Sequence, residues 1–154
     1  MKRKPLKYYQ AKNNFDFSTE DYNSLSISQL KKQADYWMRQ HLLRETDSRY
    51  GKYFCPLKKA WLPANQLEVA HFIDRANMST RYDLRNCHLV SKQSNTFDAQ
   101  TPKEGYKSQH HFDYECFLLQ EYGENILKEL ADKKELTIFA REDYIEKIKF
   151  FRNV

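Results

Sequence analysis

Apolar residues recur at helical spacing from Ile27 to Leu42, through Leu30, Ala34, Trp37, Met38 and His41. This spacing predicts a helix over residues 27–45, capped by Ser26 or Ser28. His41 lies on its apolar face, as a packed, hydrogen-bonded histidine. The pattern then breaks. Residues 47–51, Asp-Ser-Arg-Tyr-Gly, predict a turn, and residues 52–56 a short strand. Pro56, Pro63 and Asn65 predict irregular chain up to residue 66. Alternation over residues 67–73 predicts a strand, residues 74–85 a polar loop, residues 86–90 a second strand, and residues 91–99 a short helix. Residues 101–107, with Pro102 and Gly105, form a linker. The remainder is helical: residues 108–122 with a stop at Gly123, residues 125–133, and a last helix capped by Thr137 that uses Tyr144, Ile145, Ile148 and Phe151. Residues 1–23 show little periodicity and read as a mobile basic arm. No internal repeat is present.

Composition narrows the class. The chain has 154 residues, which suits one domain spanning residues 24–154 behind the arm. Its finger core lies at about residues 52–99 and its C-terminal helical part at residues 106–154. Hydrophobic content is 40%, charged content 31% and mean hydropathy −0.91, so the expected product is soluble. No apolar run approaches the ~20 residues of a membrane span, and the N-terminus lacks the apolar segment of a signal peptide. Cys55, Cys87 and Cys116 form no CxxC pair, which points to a reducing cytoplasm. The net charge of +5 and pI near 9.0 suit a polyanionic partner.

Residues 68–98, EVAHFIDRANMSTRYDLRNCHLVSKQSNTFD, concentrate the candidate chemistry. His71, Asn86 and Asn95 are spaced 15 and 9 residues apart. A histidine ending a strand, an asparagine opening the next and an amide early in a helix suit a strand–loop–strand–helix nuclease finger. There His71 can activate a water and the helix can hold a divalent cation beside a phosphate. Direct ligation of the cation by His71 is the alternative. The carbonyl oxygen of Asn95 suits Mg²⁺, with Mn²⁺ as an alternative, and Asp98 follows on the same helical face. Asn86 can hold the loop so that His71 keeps one tautomer. Its strand neighbour His88 can act as a substitute ligand or a phosphate donor. Glu68 can orient a metal-bound water. Arg75, Arg81 and Arg85 around the loop, and Lys2, Arg3 and Lys4 in the arm, are candidate DNA-phosphate contacts.

Three segments, LKKQADYWMRQHLLRETD, AHFIDRANMSTRYDLRNCHLVSKQSN and YECFLLQEYGENILKEL, resemble the phage NinG (Rap) recombination proteins, a branch of the HNH nucleases. The likeness covers roughly residues 24–150. It implies an α+β fold, with an HNH-type two-stranded finger plus helix embedded between N- and C-terminal helices. It also implies a metal-dependent endonuclease acting on branched or partly single-stranded DNA, inside the bacterial host of a phage or prophage. Two departures stand out. Many members of the family hold a structural zinc on four cysteines, whereas here only Cys55 remains, with Lys58, Ser91 and Ser94 at the other positions. One thiolate cannot make a tetrahedral site. The expectation is therefore no structural zinc, with Phe54, Trp61, Phe72 and Phe97 packing in its place. Second, the metal-binding residue often found before the catalytic histidine is Ala70. A binding module that kept the finger and lost the metal is the alternative.

Overall fold

The apolar stripe of the first helix fixes one half of the fold. In the computed structural model, which describes residues 15–95, 108–135 and 137–153, α1 (Ile27–Glu45) starts at a capping box. Ser26 Oγ accepts from Gln29 N at 3.2 Å, and Gln29 Oε1 accepts from Ser26 N at 2.9 Å. Leu30, Ala34 and Met38 are buried against Tyr144, Ile148 and Phe151 of the C-terminal helix. Residues 15–23 are not free arm. Phe17 stacks on Tyr36 with centroids 4.0 Å apart, its carbonyl accepts from Gln33 and Trp37, and Tyr22 is buried. The segment is tied down because α1 offers it donors and an aromatic face. Residues 1–14, with Lys2, Arg3 and Lys4, lie outside the described residues.

The architecture is α+β. Among the described residues it has five helices and two small antiparallel sheets. β1 (Ser48–Arg49), β2 (Lys52–Cys55) and β3 (Ala60–Pro63) form a three-stranded meander. This corrects the expectation of irregular chain after Pro56. β3 is an edge strand and Pro63 closes its outermost pair, with Lys52, so the missing N–H breaks no ladder. β4 (Leu67–His71) pairs with β5 (Cys87–Ser91) from Leu67↔Ser91 to His71↔Cys87. The loop between them contains one helical turn, α2 (Met78–Arg81). Residues 92–95 begin a helical turn, and Asp98 and the linker lie outside the described residues.

The helices α3 (Gln109–Tyr122), α4 (Ile126–Lys133) and α5 (Arg141–Asn153) complete the fold. α3 is capped by Ser108, whose Oγ accepts from His111 N, and it ends at Gly123 with φ +96°. Thr137 does not cap α5. Asp143 Oδ2 accepts from Ala140 N at 2.8 Å and satisfies that end instead. No helix of the described residues is long and apolar enough to cross a membrane.

The β4–β5 hairpin is buried on both faces. Cys87 and Leu89, with Val69 against them, join the core of α1 and α5. Ala70 and Val90 join a second core with Tyr114, Leu118, Ile126 and Leu130. Alternation along the strands therefore sends His71 and His88 to opposite sides, because Ala70 pairs with His88 and His71 with Cys87. His41 is packed as expected, against Phe150 and Phe151, but its Nδ1 has no hydrogen-bond partner.

Candidate active site

His71 is the last residue of β4. Its Nε2 lies 3.0 Å from the carbonyl oxygen of Arg81. A carbonyl only accepts, so Nε2 carries the proton and Nδ1 keeps the lone pair. Nδ1 has no hydrogen-bond partner among the described residues. Burial, and then the Arg81 and Arg75 cations, hold the imidazole pKa below its usual 6.5. The ring is therefore neutral at neutral pH, with one basic nitrogen.

The Arg81 carbonyl is positioned by Asn86, which is fully buried. Asn86 Oδ1 accepts from Ile73 N at 2.7 Å, and Nδ2 donates to Ile73 O and Thr80 O, both at 3.1 Å. The amide thus ties both ends of the loop to the start of β5. Cys87 Sγ donates to the same Arg81 carbonyl at 3.0 Å.

A cleft of about 640 Å³ opens beside His71, lined by Glu68, Val69, Asp74, Arg75 and Asn95. Asn95 Nδ2 donates to Glu68 Oε1 at 2.6 Å, which leaves the Asn95 carbonyl oxygen as a second hard donor. Asp74 Oδ1 accepts from Ala76 N at 2.8 Å and shapes the cleft wall. The Arg75 side chain has no hydrogen bond or ion pair among the described residues. Asp74 has no role in the sequence pattern; its position three residues after His71, at the start of the polar loop, is the signal that marks it.

Three of the candidate residues are engaged within the fold. His88, expected as a substitute ligand or phosphate donor, points away from the His71 cleft. It faces α3, where Nδ1 lies 2.8 Å from Tyr114 Oη and Nε2 2.8 Å from Tyr122 Oη. Both nitrogens are engaged, and burial pushes its pKa down to about 4. Arg81, expected as a phosphate contact, is turned into the fold. It is 5% exposed, and its Nε and Nη2 reach Asp35 at 3.2 and 2.6 Å while Nη1 donates to Arg75 O. Arg85 is bonded to Asp83 at 3.0 Å and to Glu129 at 2.9 Å. Asp83 also receives Lys133 at 2.8 Å. Burial alone would raise the Asp83 pKa, but these cations outweigh it and hold the carboxyl well below the usual range.

Cys55, Lys58, Ser91 and Ser94 lie together in the fold. Cys55 Sγ accepts from Lys58 N at 3.5 Å and from Ser91 N at 3.3 Å, and Ser94 N donates to Ser91 Oγ at 3.5 Å. The aromatic packing expected there does not form around Cys55 among the described residues: Phe54 and Trp61 pack on each other, centroids 5.4 Å apart, on the opposite face of the sheet. Phe72 instead stacks on His111 and packs on Tyr114, and Phe97 lies outside the described residues. Among the described residues, no three His, Cys, Asp or Glu side chains are grouped to hold a metal. No family model, curated protein or solved structure matches the chain.

Proposed function

We propose that this chain is a metal-dependent DNA endonuclease of the HNH type, built on a strand–loop–strand–helix finger and acting on branched or recombination-intermediate DNA. The observation that carries the reading is the tautomer lock on His71. Its Nε2–H is spent on the Arg81 carbonyl, and a neutral Nδ1 is left beside a cleft with hard oxygen donors and a guanidinium that has no ion pair among the described residues. An imidazole held neutral by burial takes a proton from water at ambient pH. As the water attacks phosphorus, its proton passes to Nδ1. The Nε2–H···O=C bond then steadies the imidazolium. Arg75 pairs with the phosphate oxygens, and its two-pronged fork suits that anion.

The donor set fits a hard cation. Glu68 and Asn95 supply two oxygens, and Mg²⁺ commonly takes one or two protein oxygens with water and substrate phosphate completing its shell. When bound, such a cation supplies Lewis-acid stabilisation of the phosphate charge and of the leaving 3′ oxygen. A second reading, a DNA-binding module without catalysis, is favoured by Ala70. This residue is packed in the second core, where no ligand can replace it without repacking.

The deciding experiment incubates the wild type and His71→Ala with linear, looped and four-way DNA, in Mg²⁺, Mn²⁺ or chelator. Metal-dependent cutting by the wild type, lost in the variant, supports the endonuclease. Binding without cutting of any DNA in either metal leaves the binding module.

A further inference from the structure

The β1–β2 hairpin closes through a two-residue turn, since Arg49 pairs directly with Lys52. Both turn residues are left-handed, Tyr50 at φ +51° and Gly51 at φ +73°. Hairpin turns of this kind favour Asn, Asp or Gly at the first position, because a Cβ there crowds the following carbonyl. Tyr50 occupies it at the expense of that strain. The residue is 102% exposed, so no packing among the described residues offsets the strain.

The register extends this tip into a surface. Arg49, Lys52 and Pro63 stand across from one another, and Phe54 and Trp61 follow two residues on, so all share one face of the sheet. Tyr53 and Leu62 face the other way and pack on the second core. The Arg49 guanidinium lies over Trp61 at 5.2 Å, and Trp61 packs against Phe54. Phe54 and Trp61 are only half-buried, and Arg49 and Lys52 are exposed. Aromatic rings interleaved with cations, on a sheet face with a projecting ring at its tip, match nucleobases strung on phosphates.

We propose that Tyr50 is a base-stacking residue and that the Arg49/Lys52/Trp61 face holds an unpaired stretch of DNA. This rests on the reading of DNA as the substrate and gives branched DNA a physical point of recognition, since only unpaired bases offer an open π-face. Arg49 and Lys52 supply the charge complementarity to the strand.

The test measures binding alone. Labelled dT15 and a 15-base-pair duplex are titrated with wild type, Tyr50→Asn and Tyr50→Phe in chelator, and each protein is melted. Asparagine suits the left-handed turn, so Tyr50→Asn should melt at the wild-type temperature or above it. It should nevertheless bind dT15 about five- to tenfold more weakly, within the range contributed by one stacked base. Tyr50→Phe should bind like wild type. Wild-type preference for the duplex, or equal dT15 binding by Tyr50→Asn, would overturn the proposal. If the binding result holds and the wild type cuts nothing in any metal, the stacking surface stands and the endonuclease reading falls.

Discussion

His71 Nε2 sits 3.0 Å from the carbonyl oxygen of Arg81, and this contact decides which imidazole nitrogen is basic. Cleavage should therefore depend on one titration with a defined direction. Burial, followed by the neighbouring cations, lowers the His71 pKa below 6.5, so the active neutral form persists on acidification past pH 6.5. The acid limb of the single-turnover rate should have its midpoint below pH 6.5. His71→Ala should reduce the rate by about 10²–10⁴ while DNA binding is retained. A midpoint near pH 7 would assign the titration to another group.

Asn86 acts on His71 at one remove. Its three hydrogen bonds hold Ile73 and Thr80, and the Arg81 carbonyl follows Thr80 in the chain. Asn86→Asp keeps the acceptor for Ile73 N but turns both donors into acceptors facing carbonyls. The expected loss of stability is about 1–3 kcal/mol for each buried group left unpaired. The Arg81 carbonyl is one of the groups that hold the His71 pKa up, so loosening it should move the acid limb of the pH–rate profile to lower pH. Denaturant melts and that profile check the two effects separately. Lost stability with an unshifted profile would make Asn86 structural only.

His88 makes the fold acid-sensitive. Its pKa is about 4 in the folded protein and 6.5 when unfolded, so between those values the unfolded chain binds more protons. This contribution is complete above pH 6.5 and is lost as pH falls toward 4. The gap corresponds to about 3 kcal/mol. His71 and His41, also lowered, act in the same direction. Urea melts at pH 7 and pH 4.5 should show the drop, and His88→Gln, which does not titrate, should show a shallower one. Equal pH slopes for the two proteins would remove His88 as the source.

Local signals carried much of this fold into the sequence. The α1 stripe and its Ser26 cap, the β4 and β5 strands, and the Gly123 stop all depend on neighbours within a few residues. Long-range pairing was not legible. Arg81 meets Asp35 from 46 residues away, and Arg85 meets Glu129 from 44. Nothing near either arginine distinguishes a buried ion pair from a free phosphate clamp. The same holds for His88, whose tyrosine partners lie 26 and 34 residues further along the chain. The meander around Pro63 was hidden because a proline excludes a central strand but not an edge. In the candidate site, His71 and Asn95 meet at one cleft, and the Glu68–Asn95 bond joins residues 27 apart in the chain, beyond the reach of any local pattern.

The loop arginines can be separated by salt. Arg75 is unpaired among the described residues and lines the cleft, whereas Arg85 is held by two carboxylates and Arg81 is buried on Asp35. Each phosphate contact on duplex DNA contributes about −0.9 to the slope of log affinity against log salt. Arg75→Ala should flatten the slope by about that amount at little cost in stability. Arg81→Ala should leave the slope of the folded protein unchanged and lower its stability by about 1–3 kcal/mol, because Asp35 loses its cation and keeps only the hydrogen bond from Tyr82 Oη and water at its exposed side. Arg85→Ala should change neither quantity strongly, because Lys133 still neutralises Asp83. Titrations of one duplex at several salt concentrations, with melts of the same three variants, read both effects. An unchanged slope in Arg75→Ala together with a flattened one in Arg85→Ala would mean that DNA breaks the Arg85 pairs on binding and would move the phosphate contact to the far side of the loop.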